Sequence, residues 1–369
     1  MKTTPTSSLE LALQVVPLDI HIQQEAALAA IRLMVLDLWG KNHYSTHTAI
    51  LNRAIEYQPL IAAPCDRIVN QHMLNKKYHV QMREEECDQS SANELRIYTD
   101  GSKTGRGSGA GIFSQDLNIK THLPLGTHSS IFQCECVALT EAARGVKRLG
   151  VNNFCIKLVS DSASVLMALG GKTTNSKLVL ECHNALEAIA LTNIVTLQWI
   201  KGHSGSLGND AADELARRGS EMLPAGPYPL LPLPFSQVRK WIRQRSKELQ
   251  HQRWSSSVDC RQSKMVLPVS NTRLTKQLLN LTRNNLKTMI GTITGHCLLN
   301  KHLNVLGATD SPMCRGCFNA EETVTHVVLE CKAVAKQRTE ILGTVRSLRE
   351  ACEVPRKLLC FWKELGWLS

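Results

Sequence analysis

Between Leu95 and Ser220, apolar runs of strand length and helix length succeed one another in an order that few folds accommodate. LRIYTD, GAGIFSQ and IKTHLPLG are short, rich in β-formers and separated by Gly-rich or polar turns, so they read as an antiparallel three-strand meander. IFQCECVALTEAARGVKRL then has helical spacing, FCIKLVSD reads as a strand, and SASVLMALG and SKLVLECHNALEAIAL read as two helices. IVTLQWI is a further strand, KGHSGSLGN a loop and DAADELARRGS a closing helix. A meander followed by alternating helices and strands predicts an α/β fold, a five-stranded sheet of mixed direction flanked by helices, over residues 94–220.

The flanks differ in character. Residues 1–81 read as a helical segment, with apolar residues at helical spacing in EAALAAIRLMVLDLW and THTAILNRAI, and 82–93 as a polar, acidic linker. LPAGPYPLLPLPFS marks a Pro-rich, extended linker over 221–236, and 237–369 reads as a basic helical tail. Residues 222–369 hold 22 Lys/Arg against 10 Asp/Glu, a surplus larger than the net +11 of the whole chain. So uneven a charge predicts a polyanionic partner for the tail, RNA or DNA. No run of 18 apolar residues occurs and the N-terminus lacks a signal-peptide pattern, so an intracellular site, nucleus or cytoplasm, and no membrane partner are expected. Thirteen cysteines without a disulfide spacing suit the same reducing compartment.

Four acids stand at comparable places. Asp100 closes the first strand, Glu135 faces in from the first long helix, Asp161 ends the fourth strand and Asp213 lies on the last helix. Strand ends and helix faces meet at one edge of such a sheet. Carboxylates gathered there repel unless cations sit among them, and hard oxygen ligands select Mg²⁺ or Mn²⁺. Alternative roles exist for single members: Asp100-Gly101 is a common turn pair, Asp161 a candidate N-cap, and Asp210 the expected cap of the last helix. GRGSGA (105–110) fits a dinucleotide-binding glycine pattern, but strands follow it where that pattern requires a helix.

IYTDGS, FQCECVALTEA, LVSDSASVL and IKGHSGSLGNDAADELA, in that order and spacing, resemble the type I ribonuclease H domain, specifically the version carried by non-LTR retrotransposons. The resemblance implies that Asp100, Glu135, Asp161 and Asp213 bind two Mg²⁺ (or Mn²⁺) ions, that His203 is the mobile-loop histidine, and that the substrate is an RNA–DNA hybrid whose RNA strand is cut. GKTTN, between the two middle helices, is too short for the basic handle with which some members grip hybrid. Other metal nucleases of the same superfamily place their last acid in a different helical context.

In the tail, Cys314, Cys317, His326 and Cys331 form a C-x2-C-x8-H-x4-C array suited to structural Zn²⁺, a zinc knuckle over 314–331. Arg315, Lys332, Lys336 and Arg338 surround it, and Trp241, Trp254, Phe361 and Trp362 are candidates either for base stacking or for the core. TGHCLLNKHLNVLG, with His296 and His302, resembles the segment before this knuckle in retrotransposon proteins, and residues 1–94 resemble the region following their reverse transcriptase core. No Asp-Asp dipeptide occurs, so polymerisation is not expected, and the chain reads as the C-terminal portion of a longer polyprotein. The competing expectation is a catalytically inactive nucleic-acid-binding relic.

Overall fold

The period-two runs in the middle of the chain pair into a sheet of six strands in the computed structural model, which describes residues 4–38, 45–83, 93–202, 205–224 and 230–368. Three helices come first: α1 (Thr6–Ala12), α2 (Leu18–Val35) and α3 (Ser45–Tyr57). Strands β1 (Gln71–His72), β2 (Tyr78–Gln81), β3 (Glu94–Lys103), β4 (Ser108–Ser114) and β5 (Ile119–Gly126) follow. Helix α4 (Ile131–Arg148), strand β6 (Cys155–Ser160), helix α5 (Ala163–Gly170), strand β7 (Thr173–Thr174), helix α6 (Lys177–Ala190) and strand β8 (Ile194–Trp199) alternate. Helices α7 (Leu207–Glu221) and α8 (Phe235–Ser256) come next. The meander β3-β4-β5 is antiparallel as expected, β6 and β8 add in parallel to β3, and the order is β2-β8-β6-β3-β4-β5.

The chain forms two units, residues 26–242 and residues 1–25 with 243–369. In the first, Ile97, Ile156, Leu158 and Leu197 of the strands meet Leu139 of α4, Leu166 of α5 and Leu186 of α6, all fully buried. Each such side chain contributes roughly 1.5–3 kcal/mol over remaining in water. Helix α4 starts at a capping box, in which Ser130 Oγ accepts from Gln133 N–H and the Gln133 side chain accepts from Ser130 N–H. Ser176 caps α6 through Val179 N–H.

Two expectations about the flanks are corrected. Residues 1–81 are not one helical segment: Leu11 and Ala12 of α1 pack with Trp254, Val266 and Leu267, whereas Ala27, Leu28 and Ile31 of α2 pack with Ile61, Val238 and Ile242. Their last stretch is strand, since β2 lies parallel to β8 with Tyr78 opposite Val195 and becomes the sixth strand. Four residues are too few for periodicity to register, and β2 gains its hydrogen bonds only from a distant edge. Within GKTTN, β7 pairs with β1, Gln71 opposite Thr174. The 221–236 segment is likewise no free linker throughout: Leu233 is buried, its N–H donates to Pro64 O (2.8 Å), and its carbonyl accepts from Asp66 N–H (2.7 Å). Most of the proposed 82–93 linker, residues 84–92, lies outside the described residues.

In the second unit Trp254, Phe361 and Trp362 are buried in the core, and Trp254 Nε1–H donates to Leu267 O at 3.0 Å. Packing, not base stacking, is their role. Of the four aromatics named above, Trp241 alone stays half-exposed, edge-on to His128 at 5.7 Å in the first unit.

Helix α7 rests directly on the meander. A Cβ at Gly111 of β4 would collide with the backbone of Ala212 and Ala216, so the absent side chain sets the helix-to-sheet distance. Gly111→Ala is therefore expected to lower unfolding free energy by about 1–3 kcal/mol, measured by urea denaturation.

Candidate active site

Asp100 lies at the seventh of ten positions in β3, not at its end, because the strand continues through Gly101, Ser102 and Lys103 paired with Ala110, Gly109 and Ser108. Alternation then sends Asp100 and Gly101 to opposite faces. Asp100 stands opposite Gly111, on the face covered by α7, where the charge of Asp213 acts on it. Gly101 faces α4, where an added Cβ would lie 2.7 Å from Glu135 N and 2.9 Å from Cys134 Cβ. This missing side chain admits the first turns of α4, so Glu135 reaches past the strand to the acid on its other face.

The result is a cluster of Asp100, Glu135 and Asp161 in which one carboxylate oxygen from each lies within 4.8 Å of the others; Asp213 is not a member of that group, and its charge acts on Asp100. Asp161 follows β6 directly. Its carbonyl accepts from Trp199 Nε1–H and Ala163 N–H, both at 3.0 Å, and the N-cap of α5 is Ser162. Asp210 is not a cap either: α7 begins at Leu207 with Ser206 as its N-cap, which puts Asp210 in the first turn, favourably placed toward the helix dipole. His203 lies outside the described residues. Its neighbour Gly202 stands against Asp161, where an added Cβ would be 2.8 Å from Oδ2.

Burial and mutual repulsion dominate the electrostatics. Burial, then the charges of Asp161 and Asp213, push the Asp100 carboxyl up to about 7. Burial, then Asp100 and Asp161, push Glu135 up to about 9. Glu135 Oε2 is buried with no hydrogen-bond partner. An orphaned oxygen among converging carboxylates is the environment that a hard divalent cation satisfies, so the residues present fit Mg²⁺ or Mn²⁺.

Acids from β3, α4 and the end of β6, converging beside α7 on a mixed sheet, define a protein of the ribonuclease H-like architecture. The RNase H family model matches residues 92–221. Ribonuclease H of Ruthia magnifica is 31% identical over 140 residues, covering 34% of this chain and 93% of that protein. Ribonuclease H of Cupriavidus necator is 28% identical over 141 residues, covering 35% and 97%. Rat Ribonuclease H1 is 29% identical over 141 residues, covering 34% of this chain and half of that protein. The chain belongs to the ribonuclease H family and is a hydrolase of that class.

A second cluster lies in the other unit. One ligand atom from each of Cys314, Cys317, His326 and Cys331 falls within 4.8 Å of all the others. Cys314 Sγ and Cys331 Sγ are 3.8 Å apart, and Cys317 Sγ lies 3.3 Å from His326 Nε2. Tetrahedral zinc with Zn–S bonds of about 2.3 Å sets two sulfurs about 3.8 Å apart, so the donors fit that ion. The Asn319 backbone N–H, reinforced by His326, holds the Cys317 thiol down to about 7, favouring a thiolate. His326 opens a single π-turn, His326–Glu330, which leaves Nδ1 3.6 Å from Glu330. His296 and His302 pack against each other, ring centroids 4.7 Å apart, and are not members of this group.

Two of the basic residues around the Cys/His cluster have structural partners. Arg315 donates to the fully buried Glu322 from its backbone N–H (2.7 Å), Nε and Nη2, and Arg338 donates to Cys331 O at 3.0 Å. Lys332 and Lys336 remain exposed.

Sequence reasoning placed the acids and missed what aims them. Gly101 read as half of a turn, although an extended strand after Asp-Gly was the available signal. Asp66, which binds the starts of both α4 and α6, gave no signal beyond a lone acid near a proline.

For carboxyls raised in the fold, the stability they contribute is present below the ordinary carboxylate range and is lost as pH rises through about 7 for Asp100 and about 9 for Glu135. In chelator, Tm should fall between pH 5 and 9. Asp100→Asn should hold Tm higher at the alkaline end, by on the order of 1–3 kcal/mol in stability, as read by thermal denaturation at each pH.

Proposed function

We propose that the chain hydrolyses the RNA strand of RNA–DNA hybrids at the pocket of Asp100, Glu135, Asp161 and Asp213. The observation that carries this reading is the set of one carboxylate oxygen each from Asp100, Glu135 and Asp161 within 4.8 Å of one another, with Glu135 Oε2 buried and without a partner, in a ribonuclease H-family sheet. The four acids would hold two Mg²⁺ or Mn²⁺ ions. When bound, such ions generate a nucleophilic water and stabilise the leaving 3′ oxygen of an in-line displacement, giving 3′-hydroxyl and 5′-phosphate ends.

The protein's own part is positioning. Asp100 and Glu135 arrive from opposite sides of β3, so the pocket is rigid on two faces. Trp199 fixes the backbone of Asp161 at the edge of the pocket. His203 would move protons or help products depart, a role supported by its ten-residue offset from Asp213 and by Gly202 lying against Asp161. Selection of hybrid would rest on 2′-hydroxyls in a wide minor groove and on the DNA strand's geometry, with little dependence on base identity.

The tail cluster is assigned structural Zn²⁺, with Cys314, Cys317, His326 and Cys331 as ligands, supported by sulfur spacing and by Glu330 beside the distal imidazole nitrogen. Exposed Lys332 and Lys336 then serve RNA or DNA phosphates. A retrotransposon-derived protein is the context that the motif strings and the knuckle together support. The many free thiols support a reducing, intracellular compartment, nucleus or cytoplasm. Among the described residues no helix is long and apolar enough to cross a membrane.

Purified chain with Mg²⁺, given labelled hybrid, double-stranded RNA and double-stranded DNA, is expected to cut only the RNA of the hybrid. Asp100→Asn should abolish that cleavage. Hybrid binding without cleavage by the parent chain would establish the inactive relic instead. For the tail, metal analysis of Cys314→Ser and Cys317→Ser should show loss of one zinc per chain, and unchanged stoichiometry would refute these ligands.

A further inference from the structure

The segments that flank the family-matched region meet at the start of α4 and bring two unneutralised arginines with them. Asp66, hydrogen-bonded to Leu233 O through its N–H, spends its carboxylate on neutral donors: Ser176 Oγ at 3.0 and 2.9 Å, Leu178 N–H at 3.1 Å and Gln133 Nε2 at 3.4 Å. Gln133 also donates to Pro232 O at 2.9 Å. Gln133 precedes Glu135 by two residues, about 3 Å along the helix axis. The strap is thus fastened to the turn of α4 that carries a pocket acid.

The next residue along the strap is Arg67. Its guanidinium carbon lies 5.0 Å from the Phe235 ring centroid, and that of Arg239 lies 5.7 Å from the same ring. Among the described residues neither arginine has a carboxylate within 4.0 Å, and Arg67 Nε is buried without a hydrogen-bond partner. An aromatic face attracts each cation and positions both, but it accepts none of their N–H bonds in the guanidinium plane, whereas an anion does.

We propose that Arg67 and Arg239, held by Phe235, form a phosphate-binding node for the nucleic acid backbone of the substrate. The inference rests on the hybrid-cleaving reading of the acids and adds a contact made by residues outside 92–221. Planar guanidinium forks match phosphate oxygens better than any other side chain does. A duplex carries about one negative charge per 1.7 Å of axis, so one seated at the acids offers further phosphates to cations along its length. Because GKTTN leaves no room for a basic handle within the domain, the node supplies cationic grip from the flanks.

The test uses the full chain carrying Asp100→Asn, which holds hybrid without cutting it, and follows fluorescence anisotropy of a labelled hybrid between 50 and 200 mM salt. Arg67→Ala and Arg239→Ala are each expected to weaken binding about 5- to 10-fold and to reduce the slope of log K against log salt by about 1. Arg67→Lys should keep the slope while still weakening binding. In the chain with Asp100 intact, both alanine variants should raise KM for hybrid. If Arg67→Ala fails to fold, the exposed Arg239 carries the comparison alone. An unchanged slope and affinity in folded Arg239→Ala overturns the node even where the parent chain cleaves. Absence of cleavage by the parent refutes the catalytic reading, and the slope still decides the node.

Discussion

Three carboxylates with an oxygen each within 4.8 Å of the others, two of them buried, repel one another, and the protein leaves one buried oxygen among them, Glu135 Oε2, without a donor. Two unit charges about 4 Å apart repel by roughly 1 kcal/mol in water and about 4 kcal/mol at the effective dielectric of a protein surface. The cluster persists because the surrounding packing holds it: Ile97 of β3, Leu139 of α4 and Leu158 of β6 are fully buried on the elements that carry the acids. The apolar core thus maintains an arrangement that is unfavourable on its own account, and protonation relieves it only in part. Local instability and a fit to a hard cation are two aspects of one geometry.

That geometry depends on backbone approach as much as on charge. Helices lie on both faces of the meander, α4 over Gly101 and α7 over Gly111, and each contact is closer than any side chain permits. Since adjacent strand residues point to opposite faces, the pair Asp100-Gly101 provides an acid on one side and a gap on the other. The same dipeptide in a turn would have done neither. A carboxylate on a strand and another on a helix behind that strand become neighbours only because a hydrogen atom stands where a methyl group would block the path.

Much of this was legible. The order of strands and helices from 94 to 220 follows from short-range patterns, and Asp100, Glu135 and Asp161, like the four Cys/His residues of the tail, lie close together as the sequence suggested. What escaped is non-local. Tyr78–Gln81 has no periodicity long enough to identify it, and its status as a strand comes from an edge more than a hundred residues away. The Pro-rich stretch reads as a spacer, yet Leu233 is buried because Pro64 and Asp66 supply its backbone partners. Arg315 looked like a phosphate contact until the buried Glu322 claimed it, and no local pattern announces such a pair. The start of α7 was misplaced because SLGN carries loop residues, while the helix extends back to Leu207 once it lies against the sheet.

The position of β2 has an outcome beyond topology. Parallel strand β8 would otherwise present a row of free peptide groups to solvent, and exposed edges of that kind template association between molecules. Tyr78–Gln81 occupies that row, and the Tyr78 hydroxyl anchors it by donating to Leu169 O at 3.2 Å. A polypeptide trimmed to the family-matched residues 92–221 would leave β8 uncapped, so its solubility would be governed by a few residues that contribute nothing to chemistry.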